Sequence, residues 1–309
     1  MDADTGELLW SREADRPGLI ASTTKIMTAY LACLAGEPDR PVQIPAEAVG
    51  VEGSSLYLRE GEILTRRELL LGAMLQSGND AALALAIDTA GSEAAFVERM
   101  NAAARSLGLK NTSFANPHGL DSAGNYSTAR DLALLTAKAL EHPDFRSAAA
   151  AKTARVAGDR LLTNHNKLLW RCQGCIGVKT GYTRAAGRLL VSAAVREGRT
   201  LICVTMNDPN DWRDHTALYE WCFAQYAARQ IAAAGQTLMT APGGGRLIAG
   251  AELTLSLRRE EEPELVFVPG FSSDLIPGAE AGEVRVLLHG REIARIPVTW
   301  ASSGREVGG

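Results

Sequence analysis

The sequence predicts an α+β protein in which helices pack on an antiparallel sheet, followed by a small all-β domain. Three observations support this prediction. Apolar segments with helix caps dominate the first half of the chain, and strand-like runs follow Asn164. After the glycine-rich segment 241–245, apolar residues recur at every second position, as they do in β-strands. We therefore expect one domain at 1–240 and a small β-rich domain at 241–309.

The predicted helices are marked by apolar content and by terminal signals. Residues 23–35 are apolar on several sides and are followed by Gly36, which indicates a largely buried helix. Thr65 and Glu68 form a capping box that starts a second helix, which ends near residue 76. The remaining helices are predicted at 81–90, at 93–107, from Ser127 or Thr128 to about 140, and at 211–234.

The predicted strands follow the helical part of the first domain. Three of them are expected at 177–183, 189–195 and 201–206, and the polar loop 196–199 joins the last two as a hairpin. In the C-terminal domain, alternating apolar residues predict further strands around 253–257, 266–268, 284–288 and 293–298.

Composition and charge exclude several classes of function. The 309 residues are 46% hydrophobic and 22% charged, with a formal net charge of −4. This balance, without a clustered basic face, gives no reason to expect binding to nucleic acid or to anionic membranes. No run of about 18 apolar residues is present, so the sequence predicts no membrane span.

Because the chain begins like a hairpin already under way, we expect it to be processed, with its export signal and a first strand missing.

The five cysteines do not form a disulfide framework, because their number is odd and low. Cys33, Cys203 and Cys222 lie in apolar segments and are interpreted as small buried hydrophobic residues. Cys172 and Cys175 are compatible with a local disulfide, a redox pair, half a zinc site or two idle thiols. No second Cys/His pair has a matching spacing, so we predict neither a metal site nor a cofactor.

Three short motifs carry the candidate chemistry. Ser22 and Lys25 fit Ser-x-x-Lys, residues 77–79 read Ser-Gly-Asn, and residues 179–181 read Lys-Thr-Gly. Each motif alone is weak evidence, since a surface Ser–Lys pair or an ordinary turn has the same sequence. However, the chain has only six lysines, and two of them fall in these motifs. Their order and this scarcity together favour a shared active site.

The residue types in these motifs suit nucleophilic catalysis. A spacing of three places Ser22 and Lys25 on one helix face, where the amine can reach the hydroxyl. A serine hydroxyl needs a partner that accepts its proton, and lysine can do so only when it is neutral. Burial and the charge of Lys179 would lower the pKa of Lys25 for that role. Ser77 can relay a proton to the leaving amine, and the Asn79 amide can hold the substrate backbone.

The Lys-Thr-Gly motif lies on a predicted edge strand, which can pair with an extended substrate. Gly181 lets a ligand approach the backbone closely. Lys179 and Thr180 can then bind a carboxylate. The motif therefore predicts the substrate-binding side of the site.

The chain resembles the low-molecular-weight penicillin-binding proteins that act as serine D-alanyl-D-alanine carboxypeptidases, the penicillin-binding protein 5-like family. The similarity covers roughly residues 2–230 and includes the segments 20–28, 75–82, 116–121 and 177–183. It implies a β-lactamase/transpeptidase-like catalytic domain and, as substrate, a peptidoglycan stem peptide ending in D-Ala-D-Ala. It also implies covalent inhibition by β-lactam antibiotics and an extracytoplasmic location at the cell envelope.

The resemblance also implies roles for individual residues. Ser22 would be acylated, Lys25 would be its base, and Ser77 would complete the catalytic set. The backbone N–H groups of Ser22 and Tyr182 would form the oxyanion hole. The residues implied to bind substrate are Asn79, Lys179, Thr180, Gly181, Tyr182 and Arg213. Family members often end in an amphipathic membrane-anchoring helix, which the C-terminal residues 301–309 do not predict.

Several other functions share features of this sequence. A class A β-lactamase shares the three motifs but needs a further carboxylate, and no Glu-x-x-Leu-Asn segment lies between Asn79 and Lys179. Transpeptidase or endopeptidase activity at the same site remains open. A non-catalytic peptidoglycan-binding scaffold is disfavoured because the full set of motif residues is present. His118 and His165 are interpreted as structural loop residues, because the serine already has a lysine base.

Overall fold

The computed structural model describes residues 1–240, 245–270 and 278–301. The C-terminal residues 302–309 and most of the predicted boundary segment 241–245 lie outside these ranges. None of the helices in the described part of the chain is long and apolar enough to cross a membrane.

The chain divides into two compact units, Met1–Cys222 and Phe223–Gly309. Each unit has its own hydrophobic core of buried aliphatic side chains. The first unit carries the three motifs, whereas the second is built from strands. The domain ranges 1–240 and 241–309 remain a prediction.

The helices of the first unit are set by local signals in the sequence. Thr65 accepts from the Glu68 N–H, and the Glu68 side chain accepts from the Thr65 N–H, so the predicted capping box is confirmed. Thr128 caps a later helix by accepting from the Asp131 N–H. The α-helices in the described ranges are α1 (Lys25–Leu34), α2 (Arg66–Leu75), α3 (Asn79–Ala90), α4 (Glu93–Ser106), α5 (Ala129–Leu140), α6 (Pro143–Ala150), α7 (Leu168–Arg171) and α8 (Asp211–Gln225).

The strands of the first unit form one three-stranded sheet and several short pairs. They are β1 (Gly18–Leu19), β2 (Pro41–Gln43), β3 (Ile63–Thr65), β4 (Tyr126–Ser127), β5 (Thr153–Val156), β6 (Arg160–Thr163), β7 (Cys175–Thr183), β8 (Gly187–Arg196) and β9 (Arg199–Met206). The sheet is antiparallel in the order β7–β8–β9, and the tight turn between β8 and β9 is the predicted hairpin. Lys179 therefore lies on an edge strand, with Val191 opposite it.

Helix α3 lies at the centre of the first unit. Eight consecutive residues, from Asn79 to Ala86, are buried. Four of them are alanines, which let neighbouring helices approach α3 from several sides. The helix ends at Gly91, which adopts the left-handed conformation with φ +83°. Because α3 begins directly after the Ser77-Gly78 break, this buried helix fixes the position of the motif at 77–79.

From Tyr226 onward the described part of the second unit is built of strands, which agrees with the all-β character predicted for 241–309. Its strands are β10 (Tyr226–Ala232), β11 (Thr237–Thr240), β12 (Arg246–Ala249), β13 (Leu253–Arg258), β14 (Glu264–Pro269), β15 (Glu280–Leu288) and β16 (Arg291–Ala301). Five of them form an antiparallel sheet in the order β11–β12–β16–β15–β14, and β10 pairs with β13.

The predicted helix at 211–234 is wrong beyond Gln225. From Tyr226 to Ala232 the chain is a strand that pairs with β13, so that Ala228 lies opposite Ser256. Alanine and glutamine favour a helix in this segment, but the pairing with a distant strand overrides their propensity.

Candidate active site

The first two motifs meet at the amine of Lys25. Ser22 lies in a 3-10 turn, Ala21–Thr24, that leads directly into α1, and Lys25 is the first residue of that helix. The Lys25 Nζ lies 3.0 Å from Ser22 Oγ and 2.6 Å from Asn79 Oδ1. It also lies 2.6 Å from the backbone oxygen of His118. The turn places the hydroxyl and the amine in contact, as the spacing predicts.

The partners of Lys25 define the role that its neutral form can take. A neutral amine has two N–H bonds and one lone pair. The Asn79 Oδ1 and the His118 carbonyl can only accept, and the amide is oriented because its Nδ2 donates to the Glu52 carbonyl at 2.5 Å. These two acceptors occupy the two N–H bonds. The lone pair is then left for the Ser22 hydroxyl, so neutral Lys25 is held as a base for Ser22.

Lys179 joins the second motif to the third. Its Nζ donates to Ser77 Oγ at 2.9 Å and to the Thr180 carbonyl at 2.9 Å. Ser77 adopts a left-handed backbone with φ +61°, an uncommon conformation for serine, at the break before α3. The Ser77 hydroxyl is therefore fixed by an ammonium group on β7 and by its own backbone.

Strand β7 packs directly against the turn that carries Ser22. A Cβ atom added at Gly181 would lie 3.3 Å from the Ile20 carbonyl and 3.4 Å from the Ala21 side chain. Ala21 itself has a left-handed backbone with φ +44°. A glycine at 181 thus allows the edge strand to approach the nucleophile, which brings Tyr182 beside Ser22 on the wall of one cleft.

Burial and charge set the protonation of the two lysines. Burial, and then the charge of Lys179, hold the pKa of Lys25 well below its usual value, while the carboxylate of Asp80 acts in the opposite direction. Burial lowers the pKa of Lys179 to about 7. The predicted effect of burial and of Lys179 on Lys25 is therefore present in the structure.

The Pro-His-Gly loop at 117–119 supports the nucleophile from the other side. The Pro117 carbonyl accepts from the Thr28 hydroxyl at 2.6 Å, and the His118 carbonyl accepts from Lys25. Burial, and then the charge of Lys25, lower the pKa of His118 to about 4, so its imidazole is neutral at pH 7. The sequence did not predict that His118 contributes its backbone oxygen to the site.

Replacing Gly119 by alanine is expected to damage both stability and the site. The new Cβ would lie 1.9 Å from the Ala21 carbonyl, and Gly119 has φ +93°. We expect a loss of about 3 kcal/mol or more in the free energy of unfolding, since strain and a backbone clash add. Gly91→Ala is the control, because φ there is +83° but no atom lies within 4 Å of the added Cβ. Urea unfolding of both variants measures the difference, and equal losses would contradict the packing argument.

The cleft beside Ser22 gathers most of the predicted residues. Its lining includes Ser22, Ser77, Thr180, Gly181 and Tyr182. Behind that lining are the buried residues Lys25, which bonds to Ser22, and Lys179, which bonds to Ser77. Asn79 is also buried and bonds to Lys25. One predicted residue is not brought in: Arg213 does not line the cleft, is 74% exposed and pairs with its neighbour Asp214 at 3.0 Å.

Sequence reasoning missed several residues of the cleft wall. His165, interpreted as structural, lines the cleft, and Lys167 lies two residues further along the same loop. The others are Ser54, Arg188, Leu189, Asp211 and Trp212. Arg188 could have been found from strand register, because it lies directly across from Tyr182 in the hairpin that follows the Lys-Thr-Gly motif.

None of the five cysteines, all of which lie in the described residues, forms a disulfide. All five have free thiols, including Cys172 and Cys175. Among the residues that the structure describes, no three His, Cys, Asp or Glu side chains cluster as metal ligands would.

The fold and the cleft indicate a class of protein: a serine peptidase in which a lysine amine lies beside a serine hydroxyl. The chain belongs to the D-alanyl-D-alanine carboxypeptidase family of serine peptidases, peptidase family S11, whose model matches residues 1–210.

Curated relatives agree with this assignment. The chain is 34% identical over 250 residues to the D-alanyl-D-alanine carboxypeptidase DacF of Bacillus subtilis. The aligned region covers 77% of this chain and 64% of the relative. It is 37% identical over 239 residues to the D-alanyl-D-alanine carboxypeptidase DacC of Escherichia coli, covering 72% of this chain and 60% of the relative. The chain thus spans less than two thirds of the length of either protein.

Solved structures are similar in fold. Penicillin binding protein 5 from Haemophilus influenzae superposes with a TM-score of 0.85 at 28% identity, covering 98% of this chain and 95% of that one. The Streptomyces K15 DD-transpeptidase superposes with a TM-score of 0.68 at 35% identity, covering 72% of this chain and 95% of that one.

Proposed function

We propose that the protein is a serine D-alanyl-D-alanine carboxypeptidase that removes the terminal D-Ala from peptidoglycan stem peptides. The observation that carries the proposal is the environment of Lys25. Two acceptors at 2.6 Å occupy its N–H bonds and leave its lone pair for Ser22. Family membership supplies the chemical class of the substrate.

The proposed reaction proceeds in two steps. Ser22 Oγ attacks the carbonyl carbon of the penultimate D-Ala, and its proton passes to Lys25. The C–N bond breaks, and the leaving D-Ala amine takes a proton relayed from Lys25 through Ser77. Water then attacks the ester carbon and gives a proton to Lys25, which passes it to Ser22 Oγ as the ester C–O bond breaks. The shortened peptide is released, and the Ser22 hydroxyl is free again. The N–H groups of Ser22 and Tyr182 are proposed to stabilise the oxyanion in both steps.

β-Lactams are proposed to acylate the same serine. Attack opens the four-membered ring, and the nitrogen of the broken bond stays attached to the adduct, so it cannot diffuse away. The absence of a Glu-x-x-Leu-Asn segment between Asn79 and Lys179 supports slow release of that adduct. Action on peptidoglycan also implies that the protein works outside the cytoplasm.

Transpeptidation is the second candidate, because one solved neighbour is named a DD-transpeptidase. In that reaction an amine, rather than water, would attack the Ser22 ester. Adding glycine as acceptor to the assay distinguishes the two, since a transpeptidase would form a glycyl product in place of the hydrolysed peptide.

The decisive experiment measures release and labelling together. The purified protein is expected to liberate D-alanine from a diacylated L-Lys-D-Ala-D-Ala peptide. After incubation with penicillin, it is expected to gain the mass of one adduct on the peptide that contains Ser22. Failure to release D-alanine, or an adduct elsewhere, would contradict the proposal.

Arg188 is proposed to bind the carboxylate of the terminal D-Ala, in place of Arg213. Its Nε and Nη2 donate to Asp211 at 3.2 Å and 2.8 Å, and its Cζ lies 5.5 Å from the centre of the Trp212 ring. These contacts fix the guanidinium on the cleft wall that also includes Thr180. Among the described residues, its Nη1 has no partner, so two N–H bonds remain for a substrate oxygen.

Arg188→Ala is expected to lower kcat/KM by about 10- to 100-fold for a peptide with a free terminal carboxylate, because a charged hydrogen bond is lost. The same variant should be nearly as active as wild type on the matching peptide with a C-terminal amide. Arg213→Ala is the control and should change neither value more than about twofold. Equal losses of kcat/KM on both peptides would show that Arg188 supports the structure of the cleft and does not bind the carboxylate.

A further inference from the structure

Asp80 is a buried carboxylate that lies next to the catalytic cluster but outside the three motifs. It is 1% exposed. Its oxygens accept from the Ser55 hydroxyl at 2.6 Å and from the N–H groups of Leu56, Leu58 and Ala81 at 2.9, 3.1 and 2.8 Å. All four donors are neutral, so no bonded cation compensates the charge of this carboxylate.

The segment that Asp80 holds is part of the cleft. Residues 52–58 run beside the start of α3, and Ser54 lines the cleft together with Ser22. Asn79, the residue before Asp80, binds the other end of this segment. Its N–H donates to the Ser54 carbonyl at 2.7 Å, and its Nδ2 donates to the Glu52 carbonyl at 2.5 Å. Two consecutive residues of α3 thus fix one wall of the cleft.

The same contacts decide which atom of the Asn79 side chain faces Lys25. Because Nδ2 donates to Glu52, Oδ1 is the atom that accepts from Lys25. If the segment 52–58 moved, the Asn79 amide would lose the partner that orients it. Lys25 would then lose one of the two acceptors that direct its lone pair to Ser22.

The charge of Asp80 also acts on Lys25 through space. The charged and titratable groups around Lys25 are Lys179 on β7, Asp80 on α3, and His118 with Glu93 on the opposite side. Lys179 lowers the pKa of Lys25, whereas Asp80 raises it. The two charges therefore have opposite effects on the fraction of Lys25 that is neutral.

We infer that Asp80 is a positioning residue for the serine–lysine pair: it holds the cleft wall at 52–58, which orients the Asn79 amide toward Lys25. The inference rests on the proposed function only in taking Lys25 as the base. It assigns to Asp80 a role in the reaction beyond the stability of α3.

The test is the pH dependence of acylation in Asp80→Asn. The readout is the second-order rate of labelling of Ser22 by penicillin between pH 5 and pH 10. Removing the carboxylate lowers the pKa of Lys25, so the acid limb of the profile should move to lower pH. The maximal rate should fall by about 10-fold or more, because the Asn79 amide is less well held.

Asp88→Asn is the matched control. Asp88 is a carboxylate on the same helix, and its side chain is only 6% exposed. It pairs with Arg66 at a distance of 2.6 Å, and neither residue lines the cleft. It should lower the melting temperature and leave the acid limb in place. A maximal rate in Asp80→Asn equal to that of the wild type, or the same fall in rate in Asp88→Asn, would overturn the inference.

Ser55→Ala gives an independent test if Asp80→Asn does not fold. It removes one donor to Asp80 and keeps the charge, so acylation should slow at every pH with no shift of the acid limb. A rate equal to that of wild type would overturn the positioning role. A wild-type protein that is not labelled at all would instead contradict the proposed function.

Discussion

Ser22→Ala is expected to reduce both D-alanine release and penicillin labelling by at least about 10⁴-fold, because no other group can form the acyl-enzyme. The cleft contains two other hydroxyls from serine, those of Ser54 and Ser77. The Ser77 hydroxyl accepts from Lys179, and of these three serines only Ser22 is within hydrogen-bond distance of Lys25 in the described contacts. Because Ser54 has no described base and the Ser77 oxygen is held as an acceptor, we expect neither to replace Ser22.

Ser54→Ala serves as the matched control for this variant. Ser54 lines the same cleft, and its described hydrogen bond uses its backbone oxygen, which accepts from the Asn79 N–H. Ser54→Ala should therefore gain the same adduct mass on Ser22 as the wild type does. Intact-mass spectrometry after incubation with penicillin measures the mass gained by both variants. An adduct that persists in Ser22→Ala would identify a different nucleophile.

The parts of the site that follow from local geometry could be predicted from the sequence. The contact between Ser22 and Lys25 depends on three residues of a helical turn, and the edge position of Lys179 follows from the hairpins after it. The capping box at Thr65 is equally local. Such features need no knowledge of distant parts of the chain.

The remaining parts depend on long-range packing. The His118 carbonyl is 93 positions from Lys25 in the sequence, and a backbone oxygen has no signature in the sequence. The family resemblance implies Arg213 as a substrate-binding residue, but the first two residues of α8, Asp211 and Trp212, are the ones that line the cleft. The strand at Tyr226 was missed for a similar reason, because its partner lies in β13. Pairing between distant segments overrides local propensity.

Lys25→Met is expected to reduce the rate of acylation by about 10²- to 10⁴-fold, the usual contribution of a general base. Methionine fills a similar volume, so the buried site should not collapse. Lys167→Met is the control, because Lys167 lines the same cleft with an exposed side chain. Labelling rates by penicillin measure both variants, and a similar loss in the two would exclude a special role for Lys25.

Lys25→Met should also show that the buried Lys25 amine lowers the free energy of unfolding of the wild-type protein. The pKa of Lys25 in the folded protein lies well below its ordinary value of 10.5, because of burial and of Lys179. Between these two pKa values the unfolded chain binds the proton and the folded protein does not, so the stability of the wild type rises with pH across this window. Below the folded pKa both states are protonated, so the slope is zero and the cost of burying the charged amine is complete.

Lys25→Met lacks this dependence, so its stability should rise less steeply between neutral pH and pH 9.5 than that of the wild type. Urea unfolding at several pH values measures the two slopes, and Lys179 is present in both proteins. Parallel slopes would mean that Lys25 keeps an ordinary pKa in the folded state. The buried amine would then be charged at neutral pH, and it could not accept the proton of Ser22.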